Sequence, residues 1–244
     1  MNNREDKPQG GEIVIENRFL KWLDNFWYHY KWTVIVVAFF IFVAIVCLAQ
    51  CSTQPSGDIM LTYVGGYTMN SNERDVLTNT LNGVAPKREG KQESLTAMIN
   101  SYAVYTQEQL RADFTDENGK LNQFAYEQAE AQTRDNIQAF ANYIKTGDCA
   151  VYFISPFAYE TQNVKALAVP LSELYQQVPA NTYDGYAVYL KDTEFYQYYE
   201  ALHFLPEDTL VVMLQPLVWG ASSNKETYDY FLQLYQNIVN FKAP

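Results

Sequence analysis

The longest apolar stretch of the chain runs from Trp32 to Ala49 and contains no charged residue, no Gly and no Pro. Folded as a helix that rises ~1.5 Å per residue, a stretch of this length is about the minimum that crosses a hydrocarbon core of ~30 Å. The pattern predicts a transmembrane helix over residues 32–50. A polar linker over residues 51–58 and a large domain over residues 59–244 follow it.

The residues before this stretch place apolar side chains at helical spacing among polar ones, as in Phe19, Leu23 and Phe26. We predict a cytoplasmic tail over residues 1–31 with an amphipathic juxtamembrane helix in the headgroup region. Aromatic side chains that prefer the membrane–water interface surround the start of the span, and we expect them to set its depth and tilt. These interface anchors are Trp22, Trp27, Tyr28, Tyr30 and Trp32. A second interpretation is that the juxtamembrane helix docks a partner in the membrane.

Basic residues flank the apolar stretch on its N-terminal side. Five Lys and Arg precede Trp32, and the next one along the chain is Arg74. Basic flanks of a span stay in the cytoplasm. The sequence therefore predicts a single-pass protein of the cell membrane with a cytoplasmic N-terminus and an extracytoplasmic domain.

The end of the stretch, Leu48-Ala49-Gln50-Cys51, resembles a bacterial lipobox, in which a small residue precedes a lipidated Cys. Gln50 occupies the position of that small residue, and the lead before the span is long for a signal peptide. The pattern favours an uncleaved signal anchor, with lipidation of Cys51 as the alternative. Both interpretations keep the domain tethered outside the membrane.

The domain alternates short runs of β-branched and aromatic residues with longer amphipathic stretches. Such alternation predicts an α/β fold with a mostly parallel or mixed sheet and helices on both faces. The predicted strands cover residues 59–64, 94–105, 150–154, 166–169, 186–190 and 209–214. Helices are predicted over residues 75–81, 124–144, 171–176, 192–201 and 225–241. Asn70 and Glu73 have capping-box spacing before the first helix, and Asp192 is the predicted cap of the fourth.

Charge limits the partners of this domain. Twelve Lys and Arg and 23 Asp and Glu follow residue 31, which gives a net charge of −11. Nucleic acids and anionic headgroups need basic patches on their partners, so we expect neither as a ligand. The expected partners are the lipid bilayer around the anchor and a protein at the cell surface or in the membrane. A small-molecule ligand is the alternative.

Cysteine usage indicates the compartment. Cys47 and Cys51 lie in or next to the predicted span, so Cys149 is the only Cys of the domain and cannot form a disulfide within it. The sequence also contains no Asn-x-Ser/Thr glycosylation acceptor. Both features favour a Gram-positive bacterial surface over a disulfide-rich animal ectodomain.

Residues typical of catalytic or metal sites are few in the domain. His203 is its only His and stands at a predicted helix end, where an imidazole stabilises the helix dipole. Cys149 precedes an apolar strand, and we expect it to pack in the core. The sequence therefore predicts no catalytic residue, no cofactor-binding residue and no metal ligand.

Two motifs are incomplete. Gly65-Gly66 follows the first strand, where α/β folds bind phosphate, but the third glycine of a dinucleotide fingerprint is missing. We interpret the pair as a tight strand-to-helix turn, with a ligand cleft as the alternative. The run from Asp113 to Lys120 has the glycine of a calcium loop, yet Phe114 and Ala125 stand at its two anchoring positions. We expect a polar turn there.

Tyrosine is the compositional excess, because 18 of the 20 Tyr follow the span. Tyr offers contact area at a low entropy cost and is enriched at binding surfaces, although it is also an ordinary strand residue. Two groups stand out, Tyr183, Tyr186 and Tyr189 in the first and Tyr196, Tyr198 and Tyr199 in the second. The second group is the predicted interface, because three aromatic residues so close in sequence cannot all face one core.

Two stretches resemble known families. Phe19 to Trp32 (FLKWLDNFWYHYKW), leading into a single span, resembles uncharacterised single-pass membrane proteins of clostridia-type Gram-positive bacteria. Thr146-Gly147-Asp148, the strand that ends at Ser155-Pro156 and the stretch from Ala168 to Leu174 are similar to part of a lobe of bacterial solute-binding proteins. In that family such a strand and loop border the ligand cleft, so the second resemblance implies a domain that binds a solute.

The sequence leads to three hypotheses of function. The first is a membrane-anchored extracytoplasmic binding or protein-interaction module without catalytic activity. The second is a tethered solute-binding-like protein that presents a small ligand to a transporter. The third is a carboxylate-dependent hydrolase, for which the domain has 23 candidate acids. An exposed Tyr patch on a closed surface would favour the first, a cleft between strand ends the second, and two carboxylates facing each other in a cleft the third.

Overall fold

A computed structural model describes residues 18–52, 59–87, 97–180 and 182–244 of the chain. Its residues form two compact units, Met1–Pro55 and Ser56–Pro244. The predicted linker lies largely outside the described residues.

The described residues of the smaller unit form a single helix, α1 (Arg18–Ser52). Within it, Phe26–Cys47 is long and apolar enough to cross a membrane, a property that a signal sequence near an N-terminus shares. No Gly or Pro interrupts α1, so the predicted juxtamembrane helix and the predicted span are one continuous helix. The apolar segment begins before Trp32. All five predicted interface anchors have exposed rings: Trp22, Trp27, Tyr28, Tyr30 and Trp32.

The larger unit contains a mixed sheet in its described residues. Its strands are β1 (Ile59–Gly65), β2 (Ala97–Ala103), β3 (Val151–Ile154), β4 (Ala187–Tyr189) and β5 (Leu210–Met213). They lie in the order β2-β1-β3-β5-β4. Strand β1 pairs in parallel with β2 and β3, whereas β5 runs antiparallel to both β3 and β4. The chain is therefore an α/β protein with a mixed sheet.

Helices connect these strands. They are α2 (Ser71–Val84), α3 (Gln107–Asp113), α4 (Gln123–Tyr143), α5 (Pro156–Thr161), α6 (Leu171–Leu174), α7 (Glu194–Tyr198) and α8 (Lys225–Val239). Short 3₁₀ helices cover Ile144–Thr146, Val164–Leu167, Leu190–Asp192, Glu200–Leu202 and Ala221–Ser223.

Local capping chemistry explains where several helices begin. Asn70 and Glu73 form the predicted capping box at α2. Helix α3, which the strand and helix patterns did not predict, begins with a second box between Thr106 and Gln109. Ser155 caps α5, with Pro156 in the first turn where no N–H is needed.

Two predicted elements differ from the structure. Residues 166–169 form no strand, because a left-handed Asn163 leads into the 3₁₀ helix Val164–Leu167 and leaves only a single bridge, from Ala168 to Leu214 just after β5. The helix predicted over residues 192–201 is divided. Thr193 rather than Asp192 caps α7, accepting a hydrogen bond from the Tyr196 N–H.

Alternate residues of the strands belong to two buried clusters, as the period of two in a strand requires. Leu61 and Tyr63 of β1 belong to a cluster with α2, α7 and α8. Val64 of β1 and Tyr152 of β3 belong to a second cluster with Phe140 of α4. Both faces of the central strands thus carry buried apolar side chains.

Candidate functional site

The carboxyl edge of the sheet, where β1 ends at Gly65 and β3 ends before Ser155, is the usual ligand site of α/β folds. Here protein side chains occupy the space that the two glycines leave. The Tyr63 hydroxyl lies 2.7 Å from the position of a Cβ on Gly65, and Gln109 Oε1 lies 2.5 Å from that on Gly66. Gly65 and Gly66 therefore admit neighbouring side chains, in agreement with a tight turn.

Tyr63 is the most unusual group at the carboxyl edge. Its side chain is 1% exposed, and its hydroxyl has no hydrogen-bond partner in the part of the chain that the structure describes. Burial, with a further contribution from Asp208, raises the pKa of Tyr63 above its ordinary value. Around it, Tyr67 donates to Glu73 over 2.6 Å. The side chains of Tyr63 and Gln109 thus occupy the space next to the two glycines.

Cys149 and His203 each lie within hydrogen-bond distance of a backbone carbonyl of the domain. Cys149 is buried, and its Sγ donates to the Val151 carbonyl over 3.2 Å. Burial raises the pKa of its thiol to about 12, so the thiol is neutral at ordinary pH and the predicted core position is confirmed. His203 follows the 3₁₀ helix Glu200–Leu202, and its Nε2 lies 3.1 Å from the carbonyl oxygen of Tyr196.

The stretch that resembles a calcium loop is a turn stabilised by one carboxylate. Asp116 Oδ1 accepts the backbone N–H groups of Asn118 and Lys120 over 2.9 and 2.8 Å. A single bridge between Thr115 and Leu121 closes the turn before α4. The predicted polar turn is confirmed. Over the described residues, no group of three or more His, Cys, Asp or Glu is arranged to hold a metal ion.

The first tyrosine group surrounds Asp184. Tyr159 donates to Asp184 Oδ2 over 3.0 Å, Lys165 Nζ lies 3.1 Å from the same oxygen, and the Tyr186 N–H donates to Oδ1 over 3.0 Å. The hydrogen bond to Asp184 raises the pKa of Lys165. Tyr183 packs edge-on against Tyr159, with ring centroids 5.8 Å apart. Because both oxygens of Asp184 are occupied, this carboxylate joins the segment before β4 to α5 and to the 3₁₀ helix Val164–Leu167.

The second tyrosine group is divided between the interior and the surface. Tyr196 is 7% exposed and donates its hydroxyl to the Leu205 carbonyl over 3.1 Å. Tyr199 is half-buried, whereas Tyr198 is 48% exposed. The rings of Tyr198 and Tyr199 both lie 5.5 Å from that of Phe241, near the end of the chain. Of the three predicted interface residues, Tyr198 offers the largest accessible surface.

A groove lies next to this aromatic cluster. Its volume is about 460 Å³, and its lining residues are Gly83, Val84, Gln236, Asn237, Asn240, Phe241 and Lys242. Phe241 belongs to both the groove and the cluster, and the Tyr199 hydroxyl lies 3.5 Å from the position of a Cβ on Gly83. We call the groove together with Tyr198 and Tyr199 the C-terminal groove.

Amide groups determine the chemistry of the C-terminal groove. Gln236, Asn237 and Asn240 each offer donors and an acceptor. Asn237 uses one N–H to bond the Val84 carbonyl over 2.7 Å, which fixes its orientation. Lys242 pairs with Glu194, and this hydrogen bond lowers the pKa of that carboxyl. The groove can accept a polar group beside an aromatic ring, and none of its lining residues is an acid, a His or a Cys.

The C-terminal groove was not among the sites that the sequence predicted. A signal was present, because Gln236 of α8 and Asn240, the C-cap of the same helix, are four residues apart and so lie on one side of its end. Phe241 follows them directly. That this side faces the end of α2 depends on packing between elements more than 150 residues apart.

Comparison with protein-family models, with curated proteins and with solved structures finds no match for this chain.

Proposed function

We propose that the protein is a membrane-anchored binding module that acts outside the cytoplasm through the C-terminal groove. In this proposal α1 crosses the cell membrane once with its N-terminus in the cytoplasm, and helices cover both faces of the sheet. The apolar segment Phe26–Cys47 and the five basic residues that precede Trp32 support this topology.

A protein or peptide partner is the ligand that the groove favours most. The observation that carries this proposal is the exposed ring of Tyr198, which packs on Phe241 of a groove that three amide side chains also line. Tyr is enriched among residues that dominate binding energy, and amides supply hydrogen bonds to a polypeptide backbone. Beside Gly65 and Gly66, where a ligand cleft was the alternative, the side chains of Tyr63 and Gln109 occupy the space next to the glycines.

A small polar ligand is the second candidate. The groove volume of about 460 Å³ lies within the range of about 300–1,000 Å³ that is typical of ligand pockets. An aromatic ring beside amides suits a ligand with one apolar face and several hydroxyl or amide groups. This candidate agrees with the resemblance to solute-binding lobes at the level of function, although the groove lies outside the stretch that resembles them.

The partner can be tested by crosslinking from the groove in cells. Benzoylphenylalanine replaces Tyr198 in the full chain, and in a matched control it replaces Phe124, which is 75% exposed on α4. We expect a crosslinked product of discrete mass from position 198 only, and we expect Asn240→Ala to abolish it. Equal products from both positions, or none from position 198, would contradict a protein partner at this groove.

The small ligand has a different readout. A ligand that binds only the folded state raises the thermal midpoint in a saturable way. We expect sugars or peptides that occupy the groove to do so with the full chain and to lose the effect in Gln236→Ala. A saturable shift that Gln236→Ala leaves unchanged would place the ligand elsewhere.

Topology is tested separately. Ser172 is exposed, so Ser172→Cys in a chain with Cys47→Ala and Cys51→Ala gives an accessible thiol, whereas Cys149 is buried. We expect a membrane-impermeant maleimide to label this variant in intact cells. Labelling only after cell lysis would contradict an extracytoplasmic domain.

A further inference from the structure

The loop that follows β5 displays two adjacent apolar side chains. Val218 is 83% exposed and Trp219 is 69% exposed. Other large apolar side chains that are exposed in the described part of the domain stand singly, as Phe124 and Tyr198 do. A single exposed apolar residue is ordinary, but an adjacent pair that includes Trp indicates a contact surface.

Hydrogen bonds hold this loop in one conformation. The Leu217 N–H donates to Ser222 Oγ over 3.2 Å, and the Ser222 N–H donates to the Gly147 carbonyl over 2.8 Å. Gly220 packs directly on the backbone of Thr146 and Gly147. Ser222 itself is buried. The fold therefore presents Val218 and Trp219 on a braced loop.

The loop lies at the amino edge of the sheet, where β1 and β3 begin. Val151 of β3 pairs with Leu61 of β1 on one side and with Met213 of β5 on the other. Because β5 runs antiparallel to β3, the chain after Met213 continues past this edge, and the Leu214 N–H still bonds the Ala150 carbonyl over 2.8 Å. The loop is thus about two strand spacings, roughly 10 Å, to the side of the start of β1.

The chain enters the domain at the same edge. Helix α1 ends at Ser52 and β1 begins at Ile59, seven peptide steps later. Seven steps reach at most about 25 Å when fully extended. If α1 spans the membrane, the chain that follows it enters the domain at the amino edge of the sheet, where β1 begins. Trp prefers the headgroup layer of a bilayer, where its ring is partly apolar and its N–H finds a polar partner.

We propose that Val218 and Trp219 insert into the outer headgroup layer of the bilayer that α1 crosses, giving the domain a second contact with the membrane. The inference rests on the proposed membrane anchoring. Lys225 follows the loop in the chain, and Lys145 directly precedes Thr146, on which Gly220 packs, but Glu226 and Asp148 offset their charges. The contact therefore depends on apolar insertion, so it forms on zwitterionic lipid and persists at high salt.

Trp fluorescence of the full chain in phosphatidylcholine nanodiscs tests the contact. Trp22→Phe, Trp27→Phe and Trp32→Phe together leave Trp219 as the only Trp, since the chain has four. We expect brominated lipid in the discs to quench its emission. We also expect acrylamide, a quencher dissolved in the buffer, to have little effect on it. A second chain that keeps only Trp32, with Trp219→Phe, reports whether α1 is in the bilayer.

The two chains separate failure of the loop contact from failure of the anchor. Emission of Trp219 that brominated lipid leaves intact, while Trp32 is quenched, overturns the loop contact and leaves the anchor in place. If neither Trp is quenched, the membrane anchor and the loop contact both fail. Protection of Trp219 from acrylamide without lipid quenching assigns the loop to a protein contact and also overturns the proposal.

A charged residue in the loop provides a variant in which the membrane contact should be lost. Val218→Asp in the chain that retains only Trp219 should restore quenching by acrylamide, because an aspartate resists entry into the headgroup–acyl boundary. Phe124→Asp places the same charge at another exposed apolar position and should leave the Trp219 signal unchanged. Since both positions are exposed, neither change removes a core side chain. An unchanged signal in Val218→Asp contradicts the proposal.

Discussion

At the carboxyl edge of the sheet, Gly65 and Gly66 make room for side chains of the domain, whereas at the amino edge Gly147 and Gly220 make room for backbone. The first pair forms a recognisable motif in the sequence, yet its space is filled by Tyr63 and Gln109. The second pair is separated by more than 70 residues and matches no motif. It nevertheless supports the loop that exposes Trp219. A glycine's role therefore depends on what approaches it, which the residue type alone does not show.

The largest expected loss of stability follows a substitution at the amino edge of the sheet. Gly220 has a φ of 75° with extended ψ, a conformation essentially reserved for Gly, and a Cβ there would overlap the Thr146 carbonyl oxygen. We expect Gly220→Ala to lower the free energy of unfolding by about 3 kcal/mol or more, since strain of about 1–3 kcal/mol adds to the clash. Urea unfolding of the full chain in detergent micelles measures it.

Gly119 provides the control for this substitution. Its φ is 77°, but no atom lies within 4 Å of its Cβ position. Gly119→Ala should therefore cost only the left-handed backbone term of about 1–2 kcal/mol. Equal losses for the two variants would mean that the packing of Gly220 on Thr146 contributes nothing to stability.

A smaller effect sharpens the description of the carboxyl edge. Tyr63→Phe removes a buried hydroxyl that lacks a partner among the described residues, and a buried unsatisfied group costs about 1–3 kcal/mol. We expect this variant to be as stable as the parent or more stable. Gly65→Ala should destabilise the domain, because its Cβ meets the Tyr63 hydroxyl at 2.7 Å.

The double variant distinguishes this contact from a general effect on the turn. Combining Tyr63→Phe with Gly65→Ala should recover part of the loss, which gives a coupling free energy between two groups in contact. Additive losses in the unfolding free energy would show that the hydroxyl does not oppose a Cβ at position 65.

Alkaline pH probes the same two edges through buried acids. Burial raises the pKa of Cys149 from 9.0 to about 12, so above pH 9 the unfolded chain loses this proton while the folded chain keeps it. Stability from this group is complete below pH 9 and is lost as pH rises towards 12, with a slope of at most about 1.4 kcal/mol per pH unit. Cys149→Ala should flatten that decline between pH 9 and 10, whereas Tyr63→Phe should flatten it only above pH 10.

The quantity to compare between the variants is the slope of stability against pH, because Cys149→Ala also removes a buried side chain and lowers stability at every pH. Thermal midpoints at pH 7, 9, 9.5 and 10.5 are sufficient. A decline above pH 9 that is as steep in Cys149→Ala as in the parent chain would show that the thiol keeps an ordinary pKa in the folded state.

The smallest expected change in stability is at the C-terminal groove. Tyr198 contacts Tyr199 and Phe241 but is 48% exposed, so Tyr198→Ala should cost about 1 kcal/mol or less. Phe124→Ala, at a more exposed ring, should cost less still. If Tyr198→Ala unfolded the domain, its ring would be a structural support for Phe241, and a loss of binding in that variant could not be assigned to the groove.

Local patterns predicted much of the secondary structure. The period of apolar residues identified the long helices α4 and α8, and the apolar runs identified the five strands. Capping signals placed the start of α2, and the same signal at Thr106 and Gln109 marks α3. The strand predicted over residues 166–169 was wrong, because a short apolar run before Pro170 fits a 3₁₀ turn as well as a strand.

By itself the sequence determined the long apolar helix, the α/β class, the acidic charge of the domain and the core position of Cys149. Each of these depends on neighbours within a few residues or on composition. The tertiary structure alone decided the mixed strand order, the separation of Tyr196 from Tyr198, the C-terminal groove and the exposure of Trp219. These depend on which distant segments meet, and a helix or strand pattern specifies that a face is buried without specifying what covers it.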